Sequence, residues 1–98
     1  MTKSFEQILA RLKEILPYIQ LYYDVEKLEV FGSYVRLEND SESDLDLLVS
    51  FTNSPSLLKF IQLEDYLTEK LEVKVDLVMK KALKKNMSKA ILQEAKPI

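Results

Sequence analysis

Residues 28–33 read Leu-Glu-Val-Phe-Gly-Ser, and residues 44–49, after a gap of ten, read Asp-Leu-Asp-Leu-Leu-Val. The first segment is compatible with a strand and ends at Gly32, the only glycine of the chain. Glycine lets the backbone turn sharply and approach a ligand closely. Ser33 then adds a hydroxyl and an amide, and successive amides in a turn can bind an anion. The stretch therefore predicts a strand that leads into an anion-binding turn.

The second segment carries two aspartates separated by one residue. Side chains in a strand alternate faces, so Asp44 and Asp46 share one face while the intervening apolar residues face the core. Their Cβ atoms then lie roughly 6–7 Å apart, and two unpaired carboxylates that close would repel each other. Carboxylates together with substrate phosphates are ligands that suit Mg²⁺. Such a pair alone is more often an exposed strand face, but the glycine–serine turn upstream favours a functional site.

Composition restricts the protein class and its chemistry. With 98 residues, of which 47% are apolar and 31% charged, we expect a single globular domain spanning residues 1–98. Cysteine and histidine are both absent, which excludes disulfides, thiolate metal sites and imidazole catalysis. We find no run long enough for a membrane span and no signal-peptide pattern, so we expect a cytoplasmic location.

One helix is predicted before the motif and another after it. Ser4 and Gln7 resemble a capping box ahead of apolar residues at helical spacing. Pro17 should end or kink this first helix, which can continue for about one further turn. Ser54 followed by Pro55 predicts the start of the second helix, with serine as N-cap and proline at the first helical position.

A further strand and a final helix complete the predicted order of elements. The strand Glu72–Met79 places apolar residues on one face and Asp76 on the other, and a helix around Met87–Ala95 follows. Ser33–Leu37 is predicted as a short helical turn. The order of helix, strand, turn, strand, helix, strand and helix predicts an α/β (α+β) domain with a small mixed β-sheet flanked by helices.

The Gly32-Ser33 pair, ten residues, then Asp44-Leu45-Asp46 resembles the Gly-Ser-x10-Asp-x-Asp signature of the nucleotidyltransferase superfamily that includes DNA polymerase beta. Within it the chain resembles the minimal nucleotidyltransferase (MNT) antitoxins, which are usually paired with a HEPN-domain toxin. The similarity runs from the strand before Gly32 to the final helix. It implies the nucleotidyltransferase fold, with three aspartates, Asp76 being the third, along one edge of the sheet.

The resemblance also implies roles for these residues. Asp44 and Asp46 would hold two Mg²⁺ ions, with Mn²⁺ as the alternative, while Asp76 would complete the second metal site and help deprotonate the attacking hydroxyl. Gly32 and Ser33 would hold the β- and γ-phosphates of ATP. The implied function is an antitoxin that assembles with its HEPN toxin and transfers AMP to a tyrosine hydroxyl of that toxin.

Arg36 has two interpretations from the residues alone. Its planar guanidinium could clamp a phosphate, or it could pair with Glu38 or Asp40 nearby. The resemblance favours the phosphate, because an arginine recurs there in the family pattern. The chain departs from that pattern at Tyr34, where a basic residue is common, and at Leu37, where glycine is common. These departures bear on triphosphate affinity more than on metal binding.

Other functions stay open from the sequence. One is a non-catalytic antitoxin that neutralises its toxin by binding alone. The other is a small-molecule nucleotidyltransferase, which generally carries an extra acceptor domain for which 98 residues leave no material.

Residues 80–98 hold six lysines and one acid, Glu94, and this run is either a solvated helix face or a patch facing a partner or RNA. We do not expect direct nucleic-acid binding.

Overall fold

The structure is a computed structural model that describes residues 4–40, 42–83 and 85–98. It confirms a mixed α/β fold with helices beside a small sheet. The described elements in chain order are α1 Phe5–Tyr23, β1 Val25–Phe31, β2 Leu45–Phe51, α2 Leu57–Leu71, β3 Val75–Met79, a 3₁₀ turn Lys80–Ala82, α3 Lys85–Glu94 and β4 Lys96–Pro97.

The four strands form one mixed sheet in the order β3-β2-β1-β4. Strand β1 is antiparallel to both β2 and β4, whereas β2 and β3 are parallel. Phe31 lies opposite Asp46, and Asp46 lies opposite Asp76. The end of β1 and the beginnings of β2 and β3 therefore meet at one end of the sheet, which gathers the segments singled out by the sequence.

The core lies where α1 and α2 pack on the sheet. Capping by Ser4 and Gln7 starts α1 as predicted, with both reciprocal hydrogen bonds present. In β2 the apolar residues that alternate with Asp46 are fully buried, as the strand period requires. Each buried leucine or isoleucine contributes about 1.5–3 kcal/mol relative to an exposed one. The helix residues buried in this core are Ile8, Leu12, Ile15, Ile19, Leu63, Leu67 and Leu71.

Helix α2 also secures the outer edge of β3. The amide of Val75 donates to the Thr68 hydroxyl at 3.1 Å, and the amide of Leu77 donates to the Glu64 carboxylate at 2.9 Å. An edge strand has outward amides without a strand partner, and side chains from a covering helix satisfy them here. Asp76 lies between the two anchored residues, so the helix fixes the strand position that carries it.

Several boundaries differ from the sequence-based prediction, among them the starts of α2 and β3. Helix α2 begins at Leu57 with Ser56 as its N-cap, whose hydroxyl accepts from the Lys59 amide at 3.2 Å; Ser54 and Pro55 precede it. An N-cap residue has extended backbone, so either serine suits the position, and it is Ser56 whose hydroxyl makes the capping bond. Strand β3 begins at Val75 instead of Glu72, because α2 extends to Leu71 and Glu72 closes it in a left-handed conformation.

A further difference concerns the C-terminal segment, where residues 96–97 add a short strand that the sequence did not predict. Lys96 pairs with Val30, Pro97 pairs with Glu29, and the Ile98 amide donates to the Leu28 carbonyl at 3.1 Å.

Helix α1 continues through Pro17 to Tyr23 as one of the expected alternatives. None of the helices within the described ranges is long and apolar enough to cross a membrane.

Candidate active site

The turn after β1 has the geometry of a short helical start. Gly32 has φ +82°, and its carbonyl accepts hydrogen bonds from the amides of Val35 and Arg36 at 3.1 and 3.2 Å. The first amides of such a turn have no internal acceptor. Within residues 4–40, 42–83 and 85–98, nothing accepts from the amides of Ser33 or Tyr34. These two amides and the Ser33 hydroxyl form an open set of donors for an anion.

Gly32 is required at this turn by its closest neighbour as well as by its backbone. A Cβ built on Gly32 would overlap the Asp46 carboxylate oxygen Oδ2 and lie 3.0 Å from Asp46 Cγ. A positive φ is also unfavourable for residues with a side chain. The missing side chain therefore brings the Asp46 carboxylate directly onto the donor turn.

The three predicted aspartates lie at the same end of the sheet. Asp46 on β2 is in register with Asp76 on the parallel strand β3, and neighbouring strands lie about 4.8 Å apart. Asp44 immediately precedes β2, which begins one residue later than predicted. Its carboxylate is 4.0 Å from the Lys74 ammonium, but both groups are exposed, so this ion pair contributes little.

Asp46 has a perturbed carboxyl group. The pKa of Asp46 is raised from 3.8 to about 6, chiefly by burial and then by the nearby negative charges of Asp76 and Asp44. The Arg36 guanidinium opposes this rise, and the Glu94 carboxylate adds a small increase. A cation placed among these oxygens would remove the repulsion. A carboxylate held in this way, beside a turn with open amide donors, is typical of a functional site.

The donor set fits a divalent ion that shares its ligands with a substrate. Among the residues that the structure describes, no group of three acidic, histidine or cysteine side chains is close enough to enclose a metal. Mg²⁺ commonly keeps several waters and takes one or two carboxylates plus phosphate oxygens. Asp46 with Asp44 or Asp76 supplies that number of protein ligands, so the geometry suits an ion that arrives with a nucleotide.

Arg36 is engaged by two carboxylates. Its Nε donates to Glu38 at 3.1 Å, which is one of the two pairings considered from the sequence, and its Nη1 donates to Glu94 Oε1 at 2.6 Å. The second oxygen of Glu94 accepts from the Gly32 amide at 2.7 Å. Sequence reasoning missed Glu94, although it is the one acid in a segment otherwise rich in lysine.

The two departures from the family pattern have structural explanations. Tyr34 is 1% exposed and its ring packs 5.8 Å from that of Phe5, so this position faces the core instead of a ligand. No described residue hydrogen-bonds its hydroxyl, and burial raises the pKa of that group. Leu37 has φ 59°, a left-handed conformation that glycine adopts at lower cost.

Lys80 and Lys81, which directly follow β3, lie at the opposite end of the sheet from the aspartates. Lys80 pairs with Glu29 at 3.0 Å, and Lys81 and Lys89 are exposed. Lys27, Lys80 and Lys81 border a groove of about 480 Å³ that contains none of the aspartates. Lys84 lies outside the described residues. The exposed lysines agree with a solvated face, and the groove has no assigned role.

Comparison with known proteins decides the family. The nucleotidyltransferase domain family matches residues 6–98, nearly the whole chain. The chain belongs to this family. The protein adenylyltransferase MntA of Thermococcus cleftensis is 53% identical to this nucleotidyltransferase over 72 residues, which cover 74% of this chain and 73% of that protein.

Solved structures agree with the assignment. One described as a minimal nucleotidyltransferase has a TM-score of 0.85 and 33% identity, with 98% of this nucleotidyltransferase and 97% of that chain covered. A chain from the complex of a tri-AMPylated Shewanella oneidensis HEPN toxin with its MNT antitoxin has a TM-score of 0.68 at 18% identity. It covers 92% of this chain and 70% of that chain, and at this identity it shows the fold alone.

Proposed function

We propose that this nucleotidyltransferase is the antitoxin of a HEPN/MNT pair and transfers AMP from ATP to a tyrosine hydroxyl of its HEPN toxin. The observation that carries the proposal is the pairing of Asp46 with Asp76 across parallel strands, directly against the open donor turn at Gly32. The Thermococcus relative is named a protein adenylyltransferase, and the solved complex contains an AMPylated HEPN toxin. Both support AMP as the transferred group and the toxin as the acceptor.

The turn binds the triphosphate in this proposal. The amides of Ser33 and Tyr34 and the Ser33 hydroxyl donate to the β- and γ-phosphates, aided by the positive end of the helical turn. Gly32 contributes through its missing side chain, because its amide already donates to Glu94. Arg36 adds positive charge beside the phosphates, reduced by its two carboxylate partners.

The aspartates serve the transfer step. Asp44 and Asp46 would hold two Mg²⁺ ions, and Asp76 would complete the second site; the bound ions would neutralise charge on the α-phosphate and on the departing pyrophosphate. The attacking tyrosine oxygen forms a bond to the α-phosphorus while the bond to the β-phosphate oxygen breaks. Asp76 would receive the phenolic proton, the role that the family resemblance implies for it. A docked partner supplies the hydroxyl in place, where proximity provides much of the rate.

The test is the mass of the toxin after incubation with this protein, ATP and Mg²⁺. We expect the HEPN toxin encoded beside this chain to gain one or more AMP units on tyrosine. The double variant Asp44→Asn, Asp46→Asn should bind the toxin and add nothing. As a matched control, Asp65→Asn changes an exposed aspartate of α2 outside the site and should retain transfer.

Other outcomes distinguish the rival functions. If wild type leaves the toxin mass unchanged but still neutralises it in a tight complex, the non-catalytic antitoxin is correct. If free aminoglycosides gain AMP and the toxin does not, the protein is a small-molecule nucleotidyltransferase. Both results would overturn the proposal.

A further inference from the structure

Glu94 connects the C-terminal segment to the donor turn through both of its carboxylate oxygens. Oε2 accepts from the Gly32 amide at 2.7 Å and Oε1 accepts from Arg36 Nη1 at 2.6 Å. Its side chain is 21% exposed, compared with 64% for Glu38, the other partner of Arg36. Charge-assisted hydrogen bonds of this length are the stronger kind. Glu94 is therefore the better-fixed of the two carboxylates on Arg36.

The backbone beside Glu94 is held in place independently of this contact. The next residue, Ala95, donates its amide to Ile91 at 2.8 Å, and Lys96 and Pro97 then pair with β1. Strand β1 is the strand that leads into Gly32. Strand pairing thus attaches residues 96–97 to β1, ahead of the turn, and Glu94 in the same segment contacts the turn itself at Gly32 and Arg36.

The contacts of Glu94 leave the phosphate donors free. It occupies the Gly32 amide, whereas the amides of Ser33 and Tyr34 have no acceptor within the described part of the chain. Gly32 is itself buried, so without Glu94 its amide would lose its partner away from water, at a cost in free energy. The turn would then relax toward other conformations and move the two open amides.

We infer that Glu94 is a positioning residue of the nucleotide site, which holds the turn so that the Ser33 and Tyr34 amides face the phosphates. This inference rests on the proposed function only in taking ATP as the ligand. The opposite role would be that of a competitor, in which the Glu94 carboxylate occupies Gly32 and Arg36 in place of the phosphates. The two roles predict opposite changes in affinity when Glu94 is replaced.

The experiment measures Mg·ATP affinity by calorimetry for wild type, Glu94→Ala and Glu94→Gln. We expect Glu94→Ala to weaken binding on the order of 10-fold or more, as is typical when a residue that orients a ligand-binding group is lost. Glutamine keeps one oxygen that can accept from the Gly32 amide, so Glu94→Gln should bind with an intermediate affinity. Glu38→Gln is the matched control, because Glu38 pairs with Arg36 without contacting Gly32; removing its charge frees Arg36 of one negative partner, so this variant should bind no more weakly than wild type.

The single glycine provides a second readout in the folded protein. Labelling with ¹⁵N-glycine gives one amide resonance, that of Gly32. Its hydrogen exchange should be slow in wild type and Glu38→Gln and faster in Glu94→Ala, while urea unfolding shows whether each variant remains folded. Exchange at Gly32 reports the turn directly, so it separates loss of this hydrogen bond from general destabilisation.

Tighter ATP binding by Glu94→Ala would overturn the inference in favour of a competing carboxylate. Unchanged binding in that variant would overturn it as well. Neither readout depends on the acceptor. If the Glu94 variants behave as expected while no AMP reaches the toxin, the proposed function fails alone; if transfer occurs but Glu94→Ala binds ATP as tightly as wild type, only the inference fails.

Discussion

Asp46→Asn should abolish AMP transfer and leave the metal-free protein more stable than wild type at pH 8. Asparagine keeps the shape of the side chain against Gly32 but removes the charge that would hold a cation. Loss of a preorganised electrostatic group at the reacting phosphate should lower the rate on the order of 10³-fold or more. The rate is measured by toxin mass over time, with Asp65→Asn as the control.

The gain in stability follows from the raised pKa of Asp46. The native carboxyl has a pKa of about 6 against an ordinary 3.8, so between these values the native state binds the proton that the unfolded chain has lost. Stability of the metal-free wild type should therefore fall as pH rises from about 4 to 6. The shift of about 2 pKa units has an upper limit of about 3 kcal/mol, and partial exposure reduces this to about 1–2 kcal/mol.

Urea unfolding without divalent ions at pH 4 and pH 8 tests this dependence. Wild type and Asp46→Asn should be similar at pH 4, and the variant should be more stable at pH 8. Asp65→Asn should follow wild type at both values. A variant less stable than wild type at pH 8 would show that the Asp46 charge is needed for folding, contrary to the repulsion described.

Gly32→Ala should lose both stability and activity. The positive φ costs about 1–2 kcal/mol for a residue with a Cβ, and that Cβ overlaps the Asp46 carboxylate. Displacing Asp46 or the turn adds strain, so we expect a total loss of about 2–4 kcal/mol. Of the 5–15 kcal/mol typical of a whole domain, this is from roughly an eighth to about four fifths. Thermal and urea unfolding measure the loss.

Ser33→Ala, measured beside Gly32→Ala, distinguishes an effect on the backbone of the turn from an effect on ATP binding. It keeps the turn and should unfold like wild type, but it removes one phosphate donor and should weaken ATP binding. If Gly32→Ala unfolds like wild type, the close packing of Asp46 on the turn does not exist in solution.

Local patterns were sufficient to predict the parts of the site that lie within one segment. Alternation in the strand separated Asp44 and Asp46 from the buried Leu45 and Leu47, and Gly32 indicated the turn. The same pattern could identify Asp76 as polar-faced, but its position opposite Asp46 follows from parallel pairing and from the contacts of β3 with Thr68 and Glu64.

Long-range contacts could not be predicted in this way. Glu94 lies 62 residues from Gly32, and residues 96–97 pair with β1 without any strand pattern of their own. Two serines flank Pro55, and both suit the extended backbone of an N-cap, so the local pattern does not choose between them; the structure uses Ser56. Pro17 is exposed on α1, so water can reach the carbonyl that proline leaves without a donor, and the helix continues.

The central claim is that the donor turn and the aspartates bind ATP together through a divalent ion. Calorimetric titration of ATP into the protein, with Mg²⁺ and with chelator in its place, tests this most directly. We expect clear binding with Mg²⁺, much weaker binding with chelator, and loss of the difference in the Asp44→Asn, Asp46→Asn variant, because the aspartates repel free triphosphate unless a cation lies between them. Equal ATP affinity with Mg²⁺ and with chelator in wild type would contradict the account.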